Sequence, residues 1–392
     1  MNGRERIGLA MQLKEPDRVP VMCQLATGHY FLNTRFRPHE IWYTSEAFAE
    51  ALVILQRRYR FDGILINQPG RPDNFLADLV RIEENDNGET LIWSNGDVTF
   101  IPWDDNAQFH PADRTKPIRA DFETIDPDDL SGLDDLAGYI WNTQHIQRIP
   151  GKTKPGPLTE FPPYFFKAID LVKALVGDEV SVHGEVFSPL TYYMELFGYA
   201  DALMTFIKDP GKACALLDRL TEASVAWGTA QARRGVDAVL ISSAFAGGPF
   251  LSPKMYGKFV VPYEKRVTDA IKAAGVTVYT HTCGSISKRL DLMLETGTMG
   301  IDTMDPPPLG NTELAYAKAT IGDKVFLKGN MNSVELLVAQ TEAEVIAHAS
   351  ERIREGMPGG GYILSTACSV SPRMEPWKLE LLAPLAEELG RY

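Results

Sequence analysis

Short apolar runs rich in β-branched residues alternate along this chain with longer stretches in which apolar residues recur every three or four positions. The runs fall at residues 18–23, 62–67, 180–185, 236–242, 276–281, 299–304, 324–329 and 362–366, and most end in polar residues. Their length and composition predict strands. Between them, residues 253–274, 285–295 and 342–355 carry the period of amphipathic helices. Strands alternating with helices imply parallel pairing through crossover helices, and eight such units close into a (β/α)8 TIM barrel. A doubly wound open sheet fits less well, because neither GxGxxG nor GxxxxGKS/T occurs.

The interval 70–163 breaks this rhythm. It is rich in Asp, Asn and Pro and contains ETLIWSNGDVTFIPW, where the Asn95-Gly96 pair between two alternating runs signals a hairpin. A compact domain does not normally carry a structureless loop of that length, so the interval is expected to be an insertion over or beside the barrel mouth. The hydrophobic share of 44% in 392 residues is ample for one large core, and residues 1–392 are expected to form a single barrel domain. No internal repeat or low-complexity tract appears.

Charge and cysteine content narrow the function. The 39 basic and 52 acidic residues leave a formal charge of -13, which argues against nucleic acid and anionic membrane as partners and favours small molecules or another protein. No run approaches the roughly 20 apolar residues of a membrane span, and MNGRERIGLA lacks a signal peptide's apolar stretch, so a cytoplasmic location is expected. Four cysteines, Cys23, Cys214, Cys283 and Cys368, are too few for a disulfide framework and are expected to be reduced.

Two of those cysteines carry the strongest chemical signal. His281 and Cys283 lie in THTCGS where a predicted strand runs out, and Cys368 follows the last predicted strand in STACSVSP. In a closed barrel the strand ends converge on one rim, which brings residues distant in sequence together. One imidazole and two thiolates suit zinc, and three protein ligands leave a position open for substrate. Glu185 ends the third predicted strand and Asp305 follows the sixth, and either carboxylate is a candidate fourth ligand; for Glu185 an ion pair or a helix cap at the rim is the competing explanation. His183 and Cys23 are expected to be core residues, and Cys214 has no visible site partner.

Several segments together resemble the uroporphyrinogen decarboxylase superfamily: RERIGLAMQLKEPDRVPV, HGEVFSPLTYYMELFGY, FLSPKMYGKFVVPYEKRV, HTCGSISKRLDLMLETG, DKVFLKGNMN and CSVSPRMEPWKLELL. The resemblance implies a (β/α)8 barrel and one of two chemistries, porphyrinogen decarboxylation without a cofactor or zinc-dependent methyl transfer involving corrinoids. Decarboxylases of this kind carry an RQAGRY-like arginine motif soon after the first strand, where this chain reads MCQLATGHYFL, and a histidine where this chain has Cys368. Asp62 matches a family aspartate, although it precedes its apolar run and serves equally well as a hydrogen-bonding residue at a strand start. The His281, Cys283 and Cys368 set is similar to the zinc ligands of the corrinoid methyltransferase branch, which includes methylcobalamin:coenzyme M methyltransferases.

The expected activity is therefore zinc-dependent methyl transfer between a corrinoid (cobalamin) and a small thiol or a methoxylated or methylated substrate, as transferase or O-demethylase. Glu185 is expected as a displaceable ligand or proton-handling base, Tyr192 or Tyr193 as a substrate-orienting residue, and Asn330 as a further rim residue. The chain lacks the DxHxxG signature of many corrinoid carrier domains, so the cobalamin is expected free or on a separate carrier protein. Trp93, Phe100 and Trp103 are candidates to line a pocket in the insertion, or to stabilise its hairpin. The alternatives are a decarboxylase-type lyase acting on a tetrapyrrole and a non-catalytic corrinoid- or metal-binding protein on the same scaffold.

Overall fold

In a computed structural model, which describes residues 1–115, 119–130 and 161–392, the chain builds a seven-stranded parallel sheet curled around an apolar and polar interior. Its strands in spatial order are β1 (Gly63–Ile66), β6 (Ser181–Phe187), β7 (Ala238–Ser242), β8 (Thr277–Thr282), β9 (Gly300–Thr303), β10 (Phe326–Met331) and β11 (Tyr362–Thr366). Every residue of β1, β7, β9, β10 and β11 is buried, as expected of parallel strands covered by helices. Seven of the eight expected strands are thus regular and lie within two residues of their expected bounds.

The eighth, expected at residues 18–23, is present only as isolated bridges. Val21 bridges Leu364 and Leu25 bridges Val370, both in parallel sense. Pro20 has no N–H to give to a ladder. The Val21 N–H goes instead to the Asp62 carboxylate (2.7 Å), while the Asp62 N–H returns to the Val21 carbonyl (2.8 Å). On the other side Leu364 N–H reaches the Pro20 carbonyl (2.8 Å) and Met22 N–H the Leu364 carbonyl (3.0 Å). The segment from Pro20 to Met22 therefore stands between β11 and β1 and closes the barrel.

Asp62 is buried and anchors that closure. Its oxygens accept from Arg6 Nη1 (2.6 Å), Arg18 Nη1 (2.9 Å) and Arg18 Nη2 (3.2 Å), and Arg6 also pairs with Asp17 (2.6 Å). Asp62 stands at the start of β1, the end of the barrel opposite to the strand termini that carry His281 and Cys368.

Helical periodicity at 253–274 resolves into two helices, Pro253–Phe259 and Val261–Ala273, with Pro262 in the first turn of the second. A proline interrupts the run because it cannot donate the hydrogen bond a continuing helix needs. The run 285–295 shortens to a 3-10 turn, Ser287–Arg289, and the helix Leu290–Glu295.

The interval 70–163 contains a second, four-stranded antiparallel sheet: β2 (Leu79–Asn85), β3 (Gly88–Trp93), β4 (Val98–Pro102) and β5 (Gln108–His110). The Asn95-Gly96 pair turns β3 into β4, with Gly96 at φ +86°, a conformation that favours glycine. Residues 116–118 and 131–160 of the interval lie outside the described residues. Trp93 is buried edge-on against Tyr43 (ring centroids 5.2 Å) and Phe75 (5.8 Å), so it secures the sheet rather than a pocket. Trp103 and Phe100 are half-buried, and Trp103 lies under the Arg37 guanidinium (5.3 Å). Arg37 and His39 meet the fully buried Glu89 of β3, at 2.7 and 2.9 Å. At the turn after β4, Asp104 pairs with Arg373 and packs against Gly28 so closely that a Cβ on Gly28 would lie 2.5 Å from the Asp104 carbonyl oxygen and 2.8 Å from Pro372.

Removing the Asp62 carboxylate takes the anion from the buried Arg18 guanidinium, leaves Arg6 with Asp17 as its carboxylate partner, and frees the closing segment. Asp62→Ala is expected to lower stability by about 3–5 kcal/mol, read as a lower urea midpoint. A midpoint unchanged from the native protein would show that closure does not depend on this carboxylate.

Candidate metal centre

The last residues of the parallel strands and the turns that follow them build the site. His281 is the fifth residue of β8, and Cys283 follows that strand directly. The chain can turn back there because Gly284 adopts φ +79°. Gly247 packs over the same turn, with no room for a side chain: a Cβ would lie 2.0 Å from the Cys283 carbonyl oxygen. Cys368 sits in the turn after β11, where its N–H bonds the Ser333 hydroxyl (3.2 Å) and its carbonyl accepts from the Thr366 hydroxyl (2.6 Å).

These three side chains converge. His281 Nε2 lies 3.3 Å from Cys283 Sγ, Cys283 Sγ lies 3.9 Å from Cys368 Sγ, and one ligand atom from each residue falls within 4.8 Å of the others. His281 is buried, whereas both cysteines are half-buried, so the cluster opens to one side. Among the described residues it is the only group of three or more His, Cys, Asp or Glu side chains with metal-ligand spacing.

The surroundings favour a metal-binding imidazole. His281 Nδ1 faces Asp302 Oδ2 (3.0 Å) and the Thr303 hydroxyl (2.8 Å), which leaves Nε2 directed at the sulfurs. A carboxylate behind the ligand histidine fixes its tautomer and strengthens it as a donor. Burial pushes the His281 pKa down, but the Asp302 carboxylate and Cys368 together outweigh it and raise it to about 10. The two thiols separate: contact with Cys368 and burial push Cys283 up, while the hydrogen bond from Cys283 and the nearby imidazolium hold Cys368 well below the usual thiol range. Metal binding to such a set would release protons from His281 and Cys283. An imidazole and two sulfurs at this spacing, with one face open, are a donor set that fits zinc.

Two carboxyl groups flank the cluster without belonging to the three-residue set. Glu185 on β6 is buried and its Oε2 has no hydrogen-bond partner; burial raises its pKa to about 7 against the pull of His281. Its backbone carbonyl is held by Trp227 Nε1 (3.1 Å) and Gln231 Nε2 (2.7 Å). Asp305 accepts the Gly284 N–H through Oδ2 (2.6 Å), its Oδ1 has no partner, and burial raises its pKa to about 6. The two residues before Asp305, Thr303 and Met304, have φ of +88° and +53°. Adjacent non-glycine residues in that region are strained, as happens where surrounding structure fixes a functional geometry.

Tyr192 is buried with its ring edge-on to Phe187 (5.8 Å), and Tyr193 is fully buried, bonded to Thr205 (2.5 Å) and stacked on Phe206 (4.9 Å). Asn330 is fully buried, and its amide donates to the Met304 and Thr312 carbonyls (2.8 and 2.9 Å), which fastens the segment carrying Asp305. His183 bonds Ser181 (3.0 Å) and Tyr279 (2.9 Å), and burial lowers its pKa to about 3, so it is a neutral core residue. Cys23 is buried and its thiol is raised by burial. Cys214 is half-buried. Asp302 and Lys328 were not among the expected site residues; the available signal was a charged side chain within each of two otherwise apolar runs.

The barrel and its cluster of His281, Cys283 and Cys368 at the strand ends define a TIM-barrel protein with a group of side chains that could hold a metal ion. The chain belongs to the uroporphyrinogen decarboxylase (URO-D) family, whose model matches residues 136–389. A methylcobamide:CoM methyltransferase, MtaA of Methanosarcina barkeri, is 25% identical over 226 residues, covering 58% of this chain and 63% of that relative. A uroporphyrinogen decarboxylase of Chlorobium luteolum is 28% identical over 244 residues, covering 58% of this chain and 66% of that relative. The chain thus spans about three fifths of the length of the curated methyltransferases it matches. A solved methyltransferase from Methanosarcina mazei has the same fold, with a TM-score of 0.71, 17% identity and 99% of each chain covered. No helix among the described residues is long and apolar enough to cross a membrane.

Cys283→Ser and Cys368→Ser are each expected to lose most bound zinc while keeping the native far-UV circular dichroism, because a hydroxyl is a poor zinc ligand and the barrel has a separate core. Zinc at one equivalent in either purified variant would remove that cysteine from the ligand set.

Proposed function

We propose that this protein is a zinc-dependent methyltransferase that moves a methyl group between a corrinoid and a small thiol or methoxylated substrate. The observation that carries this reading is the convergence of His281, Cys283 and Cys368 into one donor set open on one side. The methylcobamide:CoM methyltransferases among its relatives support it.

In this reading His281, Cys283 and Cys368 hold the metal. Zinc, when bound there, supplies Lewis acidity that makes a coordinated thiol sulfur anionic at neutral pH or polarises an ether oxygen. The rest of the work falls to side chains. Asp302 and Thr303 keep the His281 ring turned with Nε2 toward the sulfurs. Glu185 Oε2, buried and unpartnered, accepts the proton an incoming thiol gives up or completes the metal's ligands until substrate arrives. Asp305 Oδ1 is the second carboxylate oxygen available for that place. Tyr192, packed edge-on against Phe187 at the end of β6, is the residue assigned to orient the substrate, and Asn330 positions the Asp305 segment. The corrinoid arrives as a free molecule or on a separate carrier protein, and the antiparallel sheet β2–β5 forms part of the face that receives it or recognises a bulky methyl donor.

A decarboxylase reading is favoured by the family and by the Chlorobium relative. It needs cations free to meet several substrate carboxylates. The arginines that follow the first strand are occupied within the chain: Arg35 pairs with Glu50 (2.6 Å), Arg37 with Glu84 and Glu89 (2.5 and 2.7 Å), and the buried Arg71 bonds Gln68 (2.9 Å) and the Trp42 carbonyl (2.8 Å). Buried carboxylates without paired cations cost several kcal/mol each, roughly. Uroporphyrinogen is accordingly expected to remain unconverted in an anaerobic assay; coproporphyrinogen forming at an enzymatic rate would overturn the methyltransferase assignment.

Methyl transfer between cobalamin and a panel of thiols and methoxylated compounds, followed by cobalamin absorbance, is the direct test, and zinc-loaded protein inactive on every member would count against the proposal. Within the active system, Glu185→Gln is expected to keep much of the zinc, change its X-ray absorption spectrum and slow transfer by about 100-fold, as loss of an acid–base group does. An unchanged spectrum with native turnover would reduce Glu185 to a structural residue.

A further inference from the structure

His281, Asp302 and Lys328 stand abreast on three neighbouring strands. The parallel register pairs His281 of β8 with Asp302 of β9, and Asp302 with Lys328 of β10. Register partners in a parallel sheet point to the same face, and here that face is the barrel interior. The contacts follow the register. Lys328 Nζ lies 2.9 Å from Asp302 Oδ1, and Asp302 Oδ2 lies 3.0 Å from His281 Nδ1. Lys328 is 1% exposed and Asp302 2%.

A lysine in such a position is costly and demands a reason. Lys and Asp are almost never fully buried unless paired, and filling both places of such a pair with apolar residues of similar volume is often neutral or stabilising. An apolar residue at 328 would leave Asp302 as an unbalanced anion next to two sulfurs that carry negative charge when they bind metal. The carboxylate could then not hold its place behind His281 at low cost. With Lys328 present, Asp302 and Lys328 form a neutral pair that occupies both carboxylate oxygens, one on the ammonium and one on the imidazole N–H. The hydrogen bonds from Lys328 reach the ligand ring by way of Asp302, while its charge also acts through space on Glu185, so a double-mutant cycle separates the bonded route from the field of the charge alone.

We infer that Lys328 is a positioning residue of the metal centre: as the counter-ion that holds Asp302 against His281 Nδ1, it keeps Nε2 presented to the metal. This rests on the zinc reading of the cluster and extends it to a third strand. Outer partners of ligand histidines change metal affinity by about 10- to 100-fold, and Lys328 acts one residue further out through the same hydrogen bond.

The test is a double-mutant cycle on zinc affinity, measured by competition with a chromophoric chelator, with Co2+ spectra of each protein as a second readout. Asp302→Asn and Lys328→Met are each expected to weaken zinc binding by about 10- to 100-fold and to alter the Co2+ bands. Once Asp302 is Asn, adding Lys328→Met is expected to change zinc affinity by less than about twofold, since the route through the carboxylate is already gone. That double variant also removes both buried charges together, so it remains informative where Lys328→Met alone fails to fold. Native affinity and an unchanged Co2+ spectrum in folded Lys328→Met would overturn the inference, as would losses that simply add in the double variant. Absence of zinc binding by the native protein would overturn the metal centre itself and this inference with it, whereas tight native binding with an indifferent Lys328 would overturn the inference alone.

Discussion

The Asp62 carboxylate is the point at which the barrel closes. It takes the N–H of Val21 that a regular eighth strand would give to a neighbour, and it does so while balancing Arg6 and Arg18. Because Val21 is held there, Pro20 and Met22 can bond Leu364 of β11, four residues before Cys368. The third member of the site, Cys368, therefore depends on an ionic cluster at the opposite end of the barrel. Closure is a requirement for convergence, since strand ends meet on one rim only when the sheet returns on itself.

What the sequence made legible follows from which interactions are local. Parallel strands buried on both faces read as apolar runs, so seven of the eight emerged almost at their true bounds. The first failed as a regular strand because Pro20 and the distant Asp62 side chain decide its hydrogen bonds, and neither effect is visible in an apolar run. The Asn95-Gly96 turn was legible because its conformation is written in two residues. The stretch 253–274 reads as one helical pattern, and its division in two at Pro262 was missed because the apolar period runs on through the proline.

The site divides along the same line. His281 and Cys283 announce themselves by spacing, and Cys368 by following a strand, so the three-residue set was readable. Asp302 and Lys328 were not, although each is a charged residue inside an apolar run. Their meaning lies in register, which aligns residues 21 and 26 positions apart across two strand pairs. Asn330 shows the converse: a polar residue at a strand end reads as a rim residue, yet two backbone carbonyls consume its amide.

The close packing at Gly28 ties the antiparallel sheet to the loop after Cys368 in a way that bears on how the protein can diversify. There the helix Thr27–Asn33, the turn after β4 and the loop following Cys368 meet with no space for a single extra carbon. The outer hairpin at residues 94–97 faces no such limit, since its side chains are mostly exposed. The antiparallel sheet thus has a free end and a clamped end. Lineages can lengthen or recolour its outer turns at little cost, whereas any change of shape near Asp104 must be absorbed by the loop that carries Cys368.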